Sequence, residues 1–377
     1  MRALVAVVAL LALVAPVGVP SADAQTAEPQ IAAASWYLVG EDGSVLARGD
    51  ATRPRAMASI TKLMTAVVAL EQAQLRDVVR ITPSAAGLGE STVYLRAGEE
   101  LTVADLIRAT LIPSANDAAQ ALALHVGDGS SDRFVDLMNA KAEELGLSDT
   151  NFENAHGLDE SGHVSSARDA TALVRYALGV PFIRDSLSRS TLSLPDGTTF
   201  PTTDDLLVSW GPLVGGKTGH TRDAGWSQAA AAERAGVTVY GTVLGSDTRG
   251  TRNDALRELL EYGLDQYRRV RVIDASRAYV TAETGYGQPG VDLVAPRSVV
   301  RTVRNGKSLV ERVVAPTTLA LPVTKGQVVG RVEVYDGNRL VASSNLAAAE
   351  SVEDAGFIAK ARWYATQTMG NLWEIVS

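Results

Sequence analysis

The chain contains no cysteine. Disulfides, thiolate nucleophiles and cysteine-ligated metals are therefore excluded. Histidine is scarce as well. None of His125, His156, His163 and His220 forms the i, i+4 pair that would set two ligands on one helix face. We expect no metal and no organic cofactor. Basic runs are missing, and the formal net charge of −8 argues against nucleic acid and against purely electrostatic adhesion to a membrane. Only one long apolar run is present, Ala3 to Val14. It follows Arg2 and precedes Ala22-Asp23-Ala24, a small-x-small cleavage pattern, so residues 1–24 read as an export signal and Gln25 as the first mature residue. A permanent membrane anchor is the competing reading, disfavoured because the run is short and a cleavage pattern follows it. No later stretch is long and apolar enough to span a bilayer.

About 350 residues remain after such cleavage, too many for one ordinary core, and the texture of the sequence predicts two domains. Trp36–Val39 and Val45–Ala47 flank Glu41-Asp42-Gly43 and predict an opening hairpin. A helix is expected from Ser59 to about Leu75. Thr102-Val-Ala-Asp105 is a capping-box start for a helix to Leu111, which Pro113 ends. Further helices begin at Ser131 and behind the cap Ser166. Then the period changes to strands at Gly215–Gly219, Ala224–Ala232 and Val237–Gly245, with a helix over Asn253–Tyr267. The pattern predicts an α+β domain over residues 25–269, an antiparallel sheet flanked by helices. Short Val-rich strands from Val270 predict a small all-β domain to residue 350. Residues 351–377 read as an amphipathic helix, with Phe357, Ile358, Ala361, Tyr364 and Leu372 on one face and Trp363 and Trp373 flanking it.

Three short strings carry chemistry. In Ser59-Ile60-Thr61-Lys62, the i, i+3 spacing puts a hydroxyl and an amine on one helical face. A neutral lysine can take the serine's proton, provided burial or a second cation such as Lys217 lowers its pKa. Ser114-Ala115-Asn116 follows Pro113 in a bend. The Ser hydroxyl could pass a proton to a leaving amine and the Asn amide could fix lysine or substrate, although both residue types are also common helix caps. Lys217-Thr218-Gly219 lies on a predicted strand, where the cation and hydroxyl suit a terminal carboxylate and the glycine lets substrate lie along the strand edge. Each string alone is weak. In this order, they are the motif set of β-lactamases and penicillin-binding proteins.

The chain resembles the D-alanyl-D-alanine carboxypeptidases, the low-molecular-mass penicillin-binding proteins. Leu95–Glu99, His156–Asp159 with Ser165–Asp169, Lys217–Thr221, and Arg252 ahead of Leu259–Gly263 extend the resemblance over nearly the whole mature chain. It implies a penicillin-recognising serine transpeptidase-like fold and removal of the last D-alanine from peptidoglycan pentapeptide stems, with inhibition by β-lactams. Ser59 would be acylated, with Lys62 as base, and Ser114 and Asn116 would serve the leaving amine and the substrate. Lys217 and Thr218 would bind the carboxylate, with Gly219 beside them and Arg252 adding charge. The backbone N–H groups of Ser59 and His220 would hold the oxyanion. The enzyme would work outside the cytoplasm, at the outer face of the membrane or in the wall, with its terminal helix against the membrane surface. One departure stands out: relatives carry asparagines where this chain has Thr203-Asp204 ahead of Leu206-Leu207. A β-lactamase is a rival on the same fold, but Glu144-x-x-Leu147-Ser148 lacks the asparagine of the class A deacylation element. The same site would also suit D,D-endopeptidase action on cross-links, and a catalytically silent wall-binding protein would share the fold.

Overall fold

The computed structural model describes residues 10–16 and 29–376. Contacts divide the chain into two units, one formed by residues 26–266 and one by residues 267–377 with the N-terminal 1–25. The first unit is built on a five-stranded antiparallel sheet. Its strands are β1 (Ser35–Gly40), β2 (Val45–Gly49), β3 (Leu213–Thr221), β4 (Gly225–Arg234) and β5 (Val237–Ser246), in the order β2-β1-β5-β4-β3. The two chain ends of the unit thus meet in mid-sheet, and everything between β2 and β3 is a largely helical insert.

That insert contains α1 (Lys62–Gln72), α2 (Val103–Leu111), α3 (Asn116–Val126), α4 (Ser131–Glu144) and α5 (Ala167–Gly179), and α6 (Arg249–Asp265) follows β5. The capping box on α2 forms both of its bonds, Thr102 Oγ1 from Asp105 N–H and Asp105 back to Thr102 N–H. Ser166 caps α5. One continuous core of aliphatic side chains and alanines, among them Leu63, Val67, Leu106, Ile107, Leu122, Leu173 and Ala231, binds α1, α2, α3 and α5 to the sheet. Alanines over 229–232 on β4 let the helices approach closely.

Several boundaries differ from expectation. The helix predicted from Ser59 begins as a 3₁₀ turn, Ala58–Thr61, and becomes α-helical only at Lys62. Ala58 has φ +49°, a left-handed conformation through which a regular α-helix cannot run. The helix expected from Asn253 starts four residues earlier, because Thr248 Oγ1 caps the Thr251 N–H. Two short ladders, Val78–Arg80 with Glu100–Thr102 and Thr191–Ser193 with Thr199–Pro201, gave no alternating pattern long enough to read.

The second unit is all-β up to its terminal helix. Leu309–Pro316, Val328–Asp336, Arg339–Ala348, Val291–Val294 and Ala278–Thr284 form a mainly antiparallel sheet over a core that includes Leu293, Val313, Val332 and Leu346, and Tyr267–Ile273 pairs with Val299–Arg304. Leu10–Pro16, the centre of the expected export segment, pairs antiparallel with Leu309–Pro316 in this unprocessed chain. The Ala22-Asp23-Ala24 site lies outside the described residues. The terminal helix α7 starts at Phe357, later than the Ser351 start that was expected, and runs to Val376. Among the described residues no helix is long and apolar enough to cross a membrane.

Candidate active site

Ser59 sits in the 3₁₀ turn and Lys62 opens α1, so their side chains project together. Lys62 Nζ donates to Ser59 Oγ at 2.8 Å, to Asn116 Oδ1 at 2.6 Å and to the His156 carbonyl at 2.6 Å. Nζ thus has three oxygen neighbours; in the neutral amine the two N–H groups serve Asn116 and His156 and the lone pair faces the Ser59 hydroxyl. The carbonyl is aimed by Asn154, whose Oδ1 accepts from Gly157 N–H at 2.7 Å and whose Nδ2 donates to Leu158 O at 3.1 Å. Burial, reinforced by the charge of Lys217, holds the Lys62 ammonium well below the usual lysine range, while Asp117 and Glu90 pull the other way.

The turn itself is wedged. A Cβ at Gly157 would collide with the Ala58 carbonyl, and one at Gly219 would stand 2.9 Å from Met57 O and 3.1 Å from Ser59 N. Gly219 therefore lets the edge strand β3 lie against the backbone of the turn that bears Ser59.

Neither Ser114 nor Asn116 caps a helix. Ala115 is the N-cap of α3, with no side-chain bond, and Ser114 is held at φ +67°. A left-handed serine carries strain and leaves its hydroxyl free for other work. Its Oγ accepts from Lys217 Nζ at 3.0 Å. Asn116 Nδ2 donates to Gly89 O at 3.0 Å, while its Oδ1 receives the Lys62 proton. Asp117 behind it accepts from the Val93 and Leu95 N–H groups and pins the loop that bears Ser91.

Lys217 is fully buried on β3, donating also to Thr218 O at 3.0 Å. Burial pushes its pKa down to about 7, with Asp204 raising it and Arg252 lowering it. Thr218 Oγ1 lies 2.7 Å from Thr203 Oγ1. His220 is exposed and stacks on Trp226, its partner across the β3–β4 ladder, at 4.0 Å between ring centroids. Ser59, Ser114, Thr218, Gly219, His220 and Arg252 line one cleft of about 180 Å³, together with Ser91, Thr203, Trp226 and Arg249.

Arg252 was expected to offer charge to a substrate carboxylate. It lines the cleft but is only 1% exposed, and its guanidinium is engaged by Asn253 Oδ1 at 2.5 Å, with Asp205 Oδ2 at 3.5 Å. Arg249 is the more accessible guanidinium, though Asp205 holds it through two bonds of 2.6 and 2.5 Å. Sequence reasoning missed Ser91, Thr203 and Trp226 as lining residues. Trp226 had a readable signal, since a hairpin through residues 221–225 sets it opposite His220. In the departing segment, Asp204 Oδ1 caps the short helix Asp205–Ser209 through the Leu206 and Leu207 N–H groups.

No carboxylic acid lines the cleft among the described residues, and Glu144 is occupied elsewhere by Lys141. The basic group within hydrogen-bond reach of Ser59 Oγ is the Lys62 amine, at 2.8 Å.

A buried lysine bonded to a cleft-lining serine at a helix start, set against the edge of an antiparallel sheet, defines a serine acyl-transfer enzyme. The chain belongs to the D-alanyl-D-alanine carboxypeptidase family, whose model matches residues 22–248, and residues 267–354 match the C-terminal domain of penicillin-binding protein 5. It is 32% identical to D-alanyl-D-alanine carboxypeptidase DacC of Escherichia coli (strain K12), over 100% of this chain and 95% of that one. It is 30% identical to DacF of Bacillus subtilis (strain 168), over 92% of each. Among solved structures, penicillin binding protein 5 from Haemophilus influenzae superposes with a TM-score of 0.63 at 28% identity, covering 86% of this chain and 99% of that one. The Streptomyces K15 DD-transpeptidase gives 0.60 at 30% identity, covering 63% of this chain and 99% of that one.

Proposed function

We propose that the protein is an exported serine-type D-Ala-D-Ala carboxypeptidase that trims the terminal D-alanine from peptidoglycan stem peptides. The observation that carries this is the 2.8 Å bond between Lys62 Nζ and Ser59 Oγ, in a site where burial and a second lysine favour the neutral amine. Neutral Lys62 takes the Ser59 proton as Oγ attacks the penultimate D-alanine carbonyl. The Ser59 and His220 backbone N–H groups hold the oxyanion. Collapse breaks the peptide bond. The leaving amine takes the Ser114 hydroxyl proton, and Ser114 is refilled by the proton that Lys62 took from Ser59, so Lys62 is neutral again; Lys217 holds Ser114 Oγ in place. Water, deprotonated by Lys62, then cleaves the Ser59 ester and frees the shortened stem.

The terminal carboxylate is assigned to Lys217 and Thr218, with Arg249 at the rim and Arg252 as a buried charge behind them. A β-lactam acylates Ser59 in the same way, but its leaving amine stays tethered and blocks the water. The assignment is tested by labelling with a fluorescent penicillin, followed by mass analysis of the labelled peptide. The adduct should sit on Ser59 and vanish in Ser59→Ala. An adduct elsewhere, or none on folded protein, removes the proposal.

The terminal helix is assigned to a membrane surface. Phe357 and Ile358 are 87% and 82% exposed, while Trp363 packs on the Tyr286 ring, 5.6 Å between centroids, and is not free to insert. With Glu350, Glu353 and Asp354 nearby, attachment would be hydrophobic. A chain truncated after Glu350 should fail to float with liposomes that carry the full chain. Equal flotation rejects the assignment.

A further inference from the structure

His163 belongs to none of the three motifs and does not line the cleft. It is 3% exposed, with Phe152 against its ring edge. Its Nδ1 accepts the Glu153 N–H at 3.0 Å, so in the neutral ring the proton resides on Nε2. Nε2 then donates to Thr61 Oγ1 at 2.7 Å, and Thr61 Oγ1 donates its own proton to the Ala58 carbonyl at 2.8 Å. The bonds run in one direction, from the 153–163 loop to the peptide that precedes Ser59. That peptide belongs to the residue held at φ +49°, a conformation alanine keeps only when its surroundings impose it. Gly157 closes on the same carbonyl from the same loop. The ring is neutral at working pH. Burial takes it down to about 4, with Glu160 and Asp159 raising it and Lys62 lowering it, so the tautomer and the direction of the chain are fixed.

We propose that His163 is a positioning residue for acylation: through Thr61 it locks the Ala58 peptide and so aims Ser59 Oγ at Lys62. The inference rests on the reading of Ser59 as the nucleophile. It differs from a simple packing role in what the side chain must supply. A packing histidine needs shape and an acceptor for Glu153, whereas a positioning histidine needs the donor on Nε2.

Two substitutions separate these needs. In His163→Gln the amide N–H falls near the Nε2 position, and in His163→Asn the amide falls near Nδ1. For these, for Thr61→Val and Thr61→Ser, and for the His163→Asn/Thr61→Val double variant, one measures penicillin labelling rates, kcat, KM and Tm on the full chain. Gln and Ser variants should acylate within ~3-fold of the parent, while Asn and Val variants should lose ~10- to 100-fold in both labelling and kcat with KM nearly constant. The double variant should be no slower than the slower single, since both cut one chain. The proposal is overturned if Asn labels at the parent rate, if Gln and Asn lose rate alike in step with Tm, or if the two losses multiply. A parent protein that does not label on Ser59 removes the nucleophile reading, and this inference with it.

Discussion

Asn116 Oδ1 accepts a hydrogen bond from Lys62 Nζ at 2.6 Å, a closer contact than the 2.8 Å between the same nitrogen and Ser59 Oγ. The amide thereby fixes the direction of the lysine without adding charge. This distinction predicts opposite pH responses for two near-isosteric changes. Asn116→Ala should lower kcat/KM by roughly a hundredfold at all pH values, because a misaimed base loses its reach. Asn116→Asp should lose as much at pH 7 but recover as pH rises, since a carboxylate beside Lys62 stabilises its ammonium form and delays the free base. A pH–kcat/KM profile of both variants checks this.

Lys217 is held at about 7, so its charge is lost as pH rises through that value in the free enzyme. Below it, on the proposed assignment, the ammonium is available to the substrate carboxylate. Above it, that attraction is gone. KM for a peptide ending in D-Ala-D-Ala should therefore rise between about pH 6.5 and 8.5, with kcat changing less. The rise should be absent from Lys217→Gln, which has a uniformly high KM.

Asp204 tests the Thr203-Asp204 segment beside the cleft. Burial pushes its carboxyl up, while the Gln228 amide and Arg252 pull it down, and its charge raises Lys217. Asp204→Asn keeps the helix cap but removes that charge, so the rise in KM should begin at lower pH. Asp204→Ala also gives up the cap and should cost about 1 kcal/mol in unfolding free energy. Urea unfolding and the KM profile separate the two effects.

His156 and His163 are held at about 3 and about 4, below the 6.5 of a free imidazole. Burial is the main cause in both. The unfolded chain takes up protons from pH 6.5 downward while the folded one does not, so the stability these neutral rings contribute is present above 6.5 and lost as pH falls toward 4. Each ring accounts for a few kcal/mol at most over that window. Denaturation midpoints at pH 7, 5.5 and 4.5 should fall in that order, and less steeply in His163→Gln.

The architecture was legible wherever periodicity ran long: the hairpin β1–β2, the capped helices α2 and α5, and the three strands β3 to β5. The three motifs could be read because their residue types are unusual in combination. What stayed hidden depends on contacts distant in sequence. Ala58 is an ordinary residue with a left-handed backbone, its carbonyl approached closely by Gly157 about a hundred positions away, and nothing local forecasts the 3₁₀ turn. The Lys62–His156 carbonyl bond also involves a backbone atom, which no side-chain pattern can reveal. Arg252 lines the cleft, yet its guanidinium is engaged by Asp205 and Asn253, residues that carry no signal until folded.

The most direct test is release of D-alanine from a diacyl-L-Lys-D-Ala-D-Ala peptide by the full chain, with Ser59→Ala as control. The account predicts release by the parent and a loss of at least ~10³-fold in Ser59→Ala. Release that persists in Ser59→Ala, or no release by a folded parent that labels with penicillin, would contradict it.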